Sequence, residues 1–460
     1  MKMMLSTCAA IVQGKLIGKD VAITGVSIDT RVIKADQLYV AIKGHNFDGN
    51  DFVGQAEKAG AIAAIVHAGA SVSSALPHIV VGDTRLALAR LAGAWRLSLS
   101  ENEKPLSVVG VTGSNGKTTV KEMVAAILAF KDTVLFTQGN LNNDIGVPLT
   151  LFRLTEQDRY AVIEMGANHI GEIAYTSHYA NADVVIITNA GAAHLEGFGS
   201  LSGVAKAKGE IIETLGDKGV AVLNKEDVYF DYWKAVAGNR KVISFGLGAD
   251  ADVTAKVIEM GINNNSFISA FNLVTAQGTV EVNLKLAGQH NVLNALAATA
   301  ATLALGIELE QVKAGLESIN PVVGRMQPLV GCLGNIIIDD TYNANADSLE
   351  AGLEVLNQLK GRHWLVFGAF SELGAQSAKI HQEIAEVIKS SGVTRIFAVG
   401  ADARNTVQAF GLGATFYEKQ EDLIAELKQE LRGDEVILIK GSRAQHMENV
   451  AAALVENFRN

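Results

Sequence analysis

The residues of this chain best placed for chemistry stand between Leu106 and Phe130. There the apolar run LSVVGV enters a turn, TGSNGKTT, after which Val120, Met123, Val124, Ile127 and Leu128 recur at helical spacing. Strand, glycine turn and helix in that order aim a free helix N-terminus at the turn, and such a terminus attracts anions. Gly113 and Gly116 permit successive N–H groups to converge on a phosphate, Lys117 brings a mobile positive charge, and Thr118 offers a hydroxyl to Mg2+. A nucleoside triphosphate is the expected ligand. The commonest form of the motif, GxxxxGK(S/T), needs glycine at 111, where Val111 stands, so the spacing here is GxxGK. A glycine turn joining any strand to any helix explains the glycines, but not a lysine and a hydroxyl where the phosphate mechanism requires them. By itself the loop specifies ATP or GTP and no reaction.

Further polar residues fall at strand ends, where a parallel sheet gathers its ligands. Glu164 ends the strand YAVIEM and His194 follows DVVIITN through AGAA, so a carboxylate and an imidazole could ligate Mg2+ around the phosphates. Taken singly, a solvated strand-end glutamate and a turn histidine account for both. Lys206 and Lys208 enter a helix beginning near Val204, which reads as a charged helix face; a bare ammonium cannot bind a cation without modification. Arg325, in the turn GRMQ, suits bidentate contact with a γ-phosphate, or is a surface arginine. Asn291 in GQHNVLNA and Asp340 at the end of NIIIDD are as open to either reading.

These residues need a scaffold, and 460 residues are too many for one core, so two or three domains of roughly 100–200 residues each are expected. The alternation predicts an α/β protein of three domains. Residues 1–103 read as a small N-terminal α/β domain, closed by the charged, proline-ended linker SENEKP. Residues 104–320 read as a central P-loop ATPase domain with a mainly parallel sheet, a β excursion over 250–286 and a closing helix over 288–305. Residues 321–460 alternate NIIIDD, HWLVFG, TRIFAVG and EVILIK with helices, a Rossmann-like domain without the GxGxxG turn of a dinucleotide binder.

Composition narrows the class. With 48% hydrophobic and 19% charged residues the chain is globular, and no apolar run approaches the ~20 residues needed to span a bilayer. MKMMLSTCAAIV has too short an apolar region for an export signal. Cys8 and Cys332, far apart, make neither a disulfide framework nor a zinc site, which fits a cytoplasmic protein. A net charge of −10 argues against nucleic acid as a partner and requires positive charge to be concentrated locally if the substrates are anionic.

Taken together, GNLNNDIGVPLTL, EMGANHIGEI, TNAGAAHLEGFGS, AKAKGEI, IDDTYNANADS and KGSRAQHME resemble the Mur ligases, the ATP-dependent amide-forming enzymes of peptidoglycan precursor synthesis, over nearly the whole chain. The resemblance is nearest to the branch that adds D-alanyl-D-alanine to a UDP-N-acetylmuramoyl tripeptide. It implies that Thr112, Gly113, Ser114, Asn115, Gly116, Lys117 and Thr118 hold ATP, with Asn291, Arg325 and Asp340 near the nucleotide. Thr118, Glu164, His194 and Lys208 would ligate magnesium, Lys208 as a carbamate. Thr30, Arg31, Gly44 and Asp48, within SIDTR and KGHNFDG, would hold the uridine diphosphate; read without the resemblance, those two stretches are surface turns. Thr137, Asn140 and Asn142 would face the sugar-peptide, and Asn343 and Asn345 are also implied in substrate binding. The expected catalytic residues are Lys117, Lys208 and Arg325, in a monomer. Three positions depart from the branch: Asn50 replaces a frequent histidine, Ala346 a usual proline, and GAFSELG the typical GDM-ELG, which costs an aspartate at Ala369.

The implied reaction is phosphorylation of the tripeptide carboxylate by ATP and attack of the dipeptide amine on the acyl phosphate. Alternatives are a sister ligase adding a single amino acid, a folate polyglutamate ligase, and a P-loop ATPase without ligase chemistry. Glu164, His194 and Lys208 favour a ligase, because a switch needs the loop and a single magnesium only.

Overall fold

The computed structural model describes residues 1–455 except 45–46, 71–73, 102–104, 192–194 and 264–265. Three α/β domains follow one another, each built on its own sheet. In the first, strands Lys15–Ile17, His78–Val81, Ala63–His67, Gln37–Val40 and Gly25–Ser27 lie in that spatial order, parallel except for the Lys15–Ile17 edge.

The central sheet has six parallel strands in the order Lys241–Phe245, Val220–Asn224, Val184–Ile187, Ser107–Thr112, Tyr160–Glu164 and Val134–Phe136. Strand Ser107–Thr112 has neighbours reached by connections of opposite direction, so the crevice beyond its carboxyl end is the topological switch point where such sheets bind ligands. Helices Lys117–Ala129, Gln289–Ala304 and Leu309–Ser318 cover one face, with Val120, Met123, Val124, Ile127, Leu296 and Val312 in a single apolar cluster. Helices Glu172–Ala180 and Leu201–Glu213 cover the other, around Ile173, Val204, Ile211 and Trp233. The β excursion is an antiparallel sheet of Thr254–Asn263, Ser266–Thr275 and Gly278–Leu284.

Helix Thr84–Ser98 belongs to two domains at once. Asp83 caps it through hydrogen bonds from the backbone N–H groups of Arg85 and Leu86. Ala87, Leu88 and Leu91 pack on the first sheet, while Ala92 and Trp95 enter the second cluster of the central domain. Trp95 Nε1 donates to Leu154 O at 3.0 Å, and the buried Arg96 donates to Ala180 O at 2.9 Å and Asn181 O at 2.7 Å, satisfying carbonyls at the end of helix Glu172–Ala180. The linker region thus begins only after a helix already seated in the central core.

The third domain carries Gln327–Val330, Ile336–Asp340, Glu435–Lys440, Arg362–Gly368, Arg395–Val399 and Ala414–Tyr417, parallel apart from the Gln327–Val330 edge. Both of its edge strands were invisible to the alternation, being short and half-exposed. Asn345 caps helix Ala346–Asn357, which leaves Ala346 at the first helical position, where proline is also tolerated because that N–H has no partner in the helix.

Candidate active site

The loop after strand Ser107–Thr112 has the conformation its glycines permit. Gly113 has φ +147° and a Cβ there would lie 1.9 Å from Thr188 Oγ1; Gly116 has φ +82° and a Cβ there would lie 2.4 Å from Asn294 Oδ1. Both the backbone and its surroundings therefore exclude a side chain. Thr112 is fully buried, its hydroxyl donating to Met165 O at 2.8 Å. The loop is braced by the end of the neighbouring strand: Ser114 N donates to Asn189 O at 3.0 Å, Asn115 N to Asn189 Oδ1 at 2.9 Å, and Thr188 Oγ1 to Asn115 O at 2.6 Å. Lys117 folds back over its own loop, Nζ donating to Gly113 O at 2.7 Å and Ser114 O at 3.0 Å. Burial pushes its pKa below the ordinary lysine value and nearby Arg325 adds to this, against an opposing pull from Glu164.

A cavity of about 1000 Å3 opens here, lined by the loop, Asn140, Asn142, Glu164, Lys208, Asn291, Arg325, Asp340, Asn343 and Asn345. Two of its contacts join the third domain to the loop: Arg325 donates to Thr118 Oγ1 at 3.0 Å, and Asn345 Nδ2 to Asn115 Oδ1 at 2.9 Å. Arg325 also stacks on Tyr342, 4.1 Å from the ring centroid, and its buried Nε has no partner among the described residues.

Glu164 is 2% exposed at its strand end. Oε1 accepts from Asn142 Nδ2 at 2.9 Å, whereas buried Oε2 has no partner among the described residues. A carboxylate oxygen left unsatisfied in a polar cavity is what a hard divalent cation requires. Among the described residues no group of three or more His, Cys, Asp or Glu could by itself hold a metal. His194, expected as a ligand, lies outside the described residues.

Lys208 is 2% exposed in helix Leu201–Glu213, its ammonium over the Phe198 ring. Desolvation, with repulsion from Lys117, brings its pKa down to about 7, partly offset by Glu210 and Glu172. Lys206 does not line the cavity.

The nucleotide-side candidates converge. Asn291 Nδ2 donates to Ala287 O at 2.7 Å and its Oδ1 accepts from Asn294 Nδ2 at 3.2 Å. Asp340 pairs with buried Lys440, whose Nζ also donates to Asn343 O at 3.2 Å. His290 beside them is pushed down to about 4 by burial, against the pull of Asp340.

Thr137 does not reach the cavity. It is fully buried, its Oγ1 accepting from Glu164 N at 3.0 Å and its carbonyl from Lys121 Nζ at 2.8 Å. Thr30, Arg31, Gly44 and Asp48 lie outside the cavity lining, on the first domain. Arg31 is engaged with Asp29, whose carboxyl that contact holds down at about 2. Asp48 accepts from Asn50 N at 3.0 Å, and Asn50, the histidine replacement, accepts from His67 N at 3.1 Å. Arg85 links this region to the central domain, pairing with Asp144 at 2.8 Å and donating to Lys43 O at 3.3 Å. Ala369 is buried behind the wall; the lining residue of GAFSELG is Glu372, with Arg443.

Sequence reasoning missed Arg85, Lys121, Asn189, Asn294, Tyr342 and Lys440. Lys440 had a signal, a lysine closing the apolar strand EVILIK, but its partner Asp340 is a hundred residues away.

Comparison with known proteins agrees along the chain. Residues 22–96 match the Mur ligase family catalytic domain, 111–302 the Mur ligase middle domain and 324–443 the Mur ligase glutamate ligase domain. The UDP-N-acetylmuramoyl-tripeptide–D-alanyl-D-alanine ligase of Escherichia coli strain K12 is 44% identical, over 98% of this chain and 98% of that protein. The ligase of the same name from Haemophilus influenzae is 42% identical over the same shares. Among solved structures, MurF from Acinetobacter baumannii superposes with TM-score 0.92 at 35% identity, covering 99% of each chain. MurF ligase from Thermotoga maritima, in complex with ADP, gives 0.83 at 28%, covering 94% of this chain and 97% of that one.

Proposed function

We propose, from the premise that this chain belongs to the Mur ligase family, that it joins D-alanyl-D-alanine to a UDP-N-acetylmuramoyl tripeptide in peptidoglycan precursor synthesis. It is an ATP-dependent amide-forming ligase. The observation that carries the reading is the hydrogen bond from Arg325 to Thr118 across the cavity. The contact sets a third-domain guanidinium beside the phosphate loop, where it can meet a transferring phosphoryl group.

A carboxylate is a poor electrophile. Transfer of the γ-phosphoryl group of ATP to a terminal oxygen of the tripeptide gives an acyl phosphate and ADP. The dipeptide amine then attacks the acyl carbon, the bond to the phosphate oxygen breaks, and the nitrogen loses a proton, leaving amide and inorganic phosphate. Lys117 and Arg325 offset the charge on the transferring group and on the tetrahedral intermediate. Magnesium, when bound, supplies further neutralisation at the phosphates, and Thr118, Glu164, His194 and a carbamate on Lys208 would hold it. The lowered pKa of Lys208 supports the carbamate, since only a neutral amine attacks CO2, forming the C–N bond and releasing one proton. Asn291 and Asp340 serve the nucleotide, Thr30, Arg31, Gly44 and Asp48 the uridine diphosphate, Asn140 and Asn142 the sugar-peptide, and Asn343 and Asn345 the substrate side of the third domain.

With divisions near 103 and 320, closure of the third domain on the second excludes water that would hydrolyse the acyl phosphate. The form we propose is a cytoplasmic monomer; among the described residues no helix is long and apolar enough to cross a membrane. The test is phosphate release with product mass, using ATP, Mg2+, UDP-muramoyl tripeptide and either D-Ala-D-Ala or single amino acids. A mass gain of one dipeptide less water is expected. Turnover only with a single amino acid would move the protein to a sister branch.

A further inference from the structure

A buried lysine that bonds no ligand calls for a reason. Lys121 is 1% exposed in the helix after the phosphate loop, and burying an ammonium is costly unless it is well partnered. Its partners are Thr137 O at 2.8 Å, the Glu122 carboxylate at 2.9 Å and the face of Phe136 at 5.7 Å. Thr137 follows a three-residue strand at the edge of the central sheet, where few ladder bonds hold the chain. It is nevertheless tied on three sides, its N–H to Val162 O at 3.0 Å, its carbonyl to Lys121, and its hydroxyl to the N–H of Glu164 at 3.0 Å. Glu164 lines the cavity, and its buried Oε2 has no partner among the described residues.

We propose that Lys121 and Thr137 are positioning residues for Glu164, a relay that fixes the strand end so that Oε2 meets a divalent cation. The inference rests on the reading of Glu164 as a metal ligand. Neither Lys121 nor Thr137 lines the cavity, although Glu122, the ion-pair partner of Lys121, does, so the double variant with Glu164→Gln decides whether the effect passes through Glu164. Lys121 holds the Thr137 carbonyl, Thr137 holds the Glu164 backbone, and Asn142 holds Oε1, leaving one oxygen free and its direction set. Partners of this kind typically change metal affinity about 10–100-fold when removed.

The test is titration of Mn2+ into the full chain bound to a non-hydrolysable ATP analogue, read by electron paramagnetic resonance. Thr137→Val, which keeps the shape and removes the acceptor, should weaken Mn2+ binding about 10-fold, and Thr137→Ser should leave it unchanged. Lys121→Met should weaken it as well, and decides the matter if valine at 137 prevents folding. Affinity for the analogue without metal should be constant throughout, which reports an intact loop. Glu164→Gln should weaken Mn2+ most, and Thr137→Val should add nothing in that background. Normal Mn2+ binding in folded Thr137→Val or Lys121→Met, beside a weakened Glu164→Gln, overturns the relay alone. Normal binding in Glu164→Gln overturns the metal-ligand reading and the relay with it.

Discussion

Lowering the pH from 8 to 6 should slow carbamylation of Lys208 about tenfold, where an ordinary lysine would slow about a hundredfold. The magnitude follows from its surroundings: desolvation and the Lys117 charge bring the amine down to about 7 from its usual 10.5, Glu210 and Glu172 compensating only in part. At fixed dissolved CO2 the rate follows the neutral fraction, about 0.9 at pH 8, about 0.5 at pH 7 and about 0.1 at pH 6. An unshifted amine gains tenfold per pH unit across this range and reaches no plateau. The assay starts from enzyme stripped of CO2 in degassed buffer, pulses it with isotopically labelled CO2, traps the carbamate by alkylation and locates it by peptide mass. Incorporation at Lys208 should flatten above about pH 8. A rate still rising tenfold per unit at pH 9 would refute the shift, and no label at Lys208 at any pH would refute the carbamate.

Arg325→Ala should lower turnover by about 100-fold or more while leaving most affinity for an ATP analogue, because its guanidinium acts on charge that develops in the reaction. Steady-state kinetics beside calorimetry separate the two, and unchanged turnover would remove Arg325 from the mechanism. Gly113→Ala puts a Cβ 1.9 Å from Thr188 Oγ1 at a φ of +147°, so ADP binding should be lost by calorimetry; parental affinity would contradict the loop geometry. Lys440→Met strands the Asp340 carboxylate, and denaturant unfolding should show a loss of about 3 kcal/mol. A neutral outcome would mean the pair breaks even with an apolar contact.

The three-domain alternation, the phosphate loop and its helix were legible because turn chemistry and 3.6-residue periodicity are local properties of the chain. Glu164 could be singled out for the same reason, as a carboxylate closing an apolar strand. Its orphaned Oε2 could not, since that depends on Asn142 and Thr137 from other segments. Helix Thr84–Ser98 showed its apolar residues in sequence, but only packing revealed that they divide between two cores. The resemblance implied a substrate-facing role for Thr137, whereas its hydroxyl accepts from Glu164 N inside the sheet. Lys208 was recognisable as a lysine on a helix, whereas its lowered pKa needs the desolvating walls and Lys117, contributed by separate elements. The meeting of Arg325 with Thr118 spans 207 residues. Sequence by itself determined which groups this protein has and which local elements bear them; tertiary structure alone decided which groups lose water, which lose partners and which face each other, because burial and electrostatics are sums over neighbours that the chain order does not reveal.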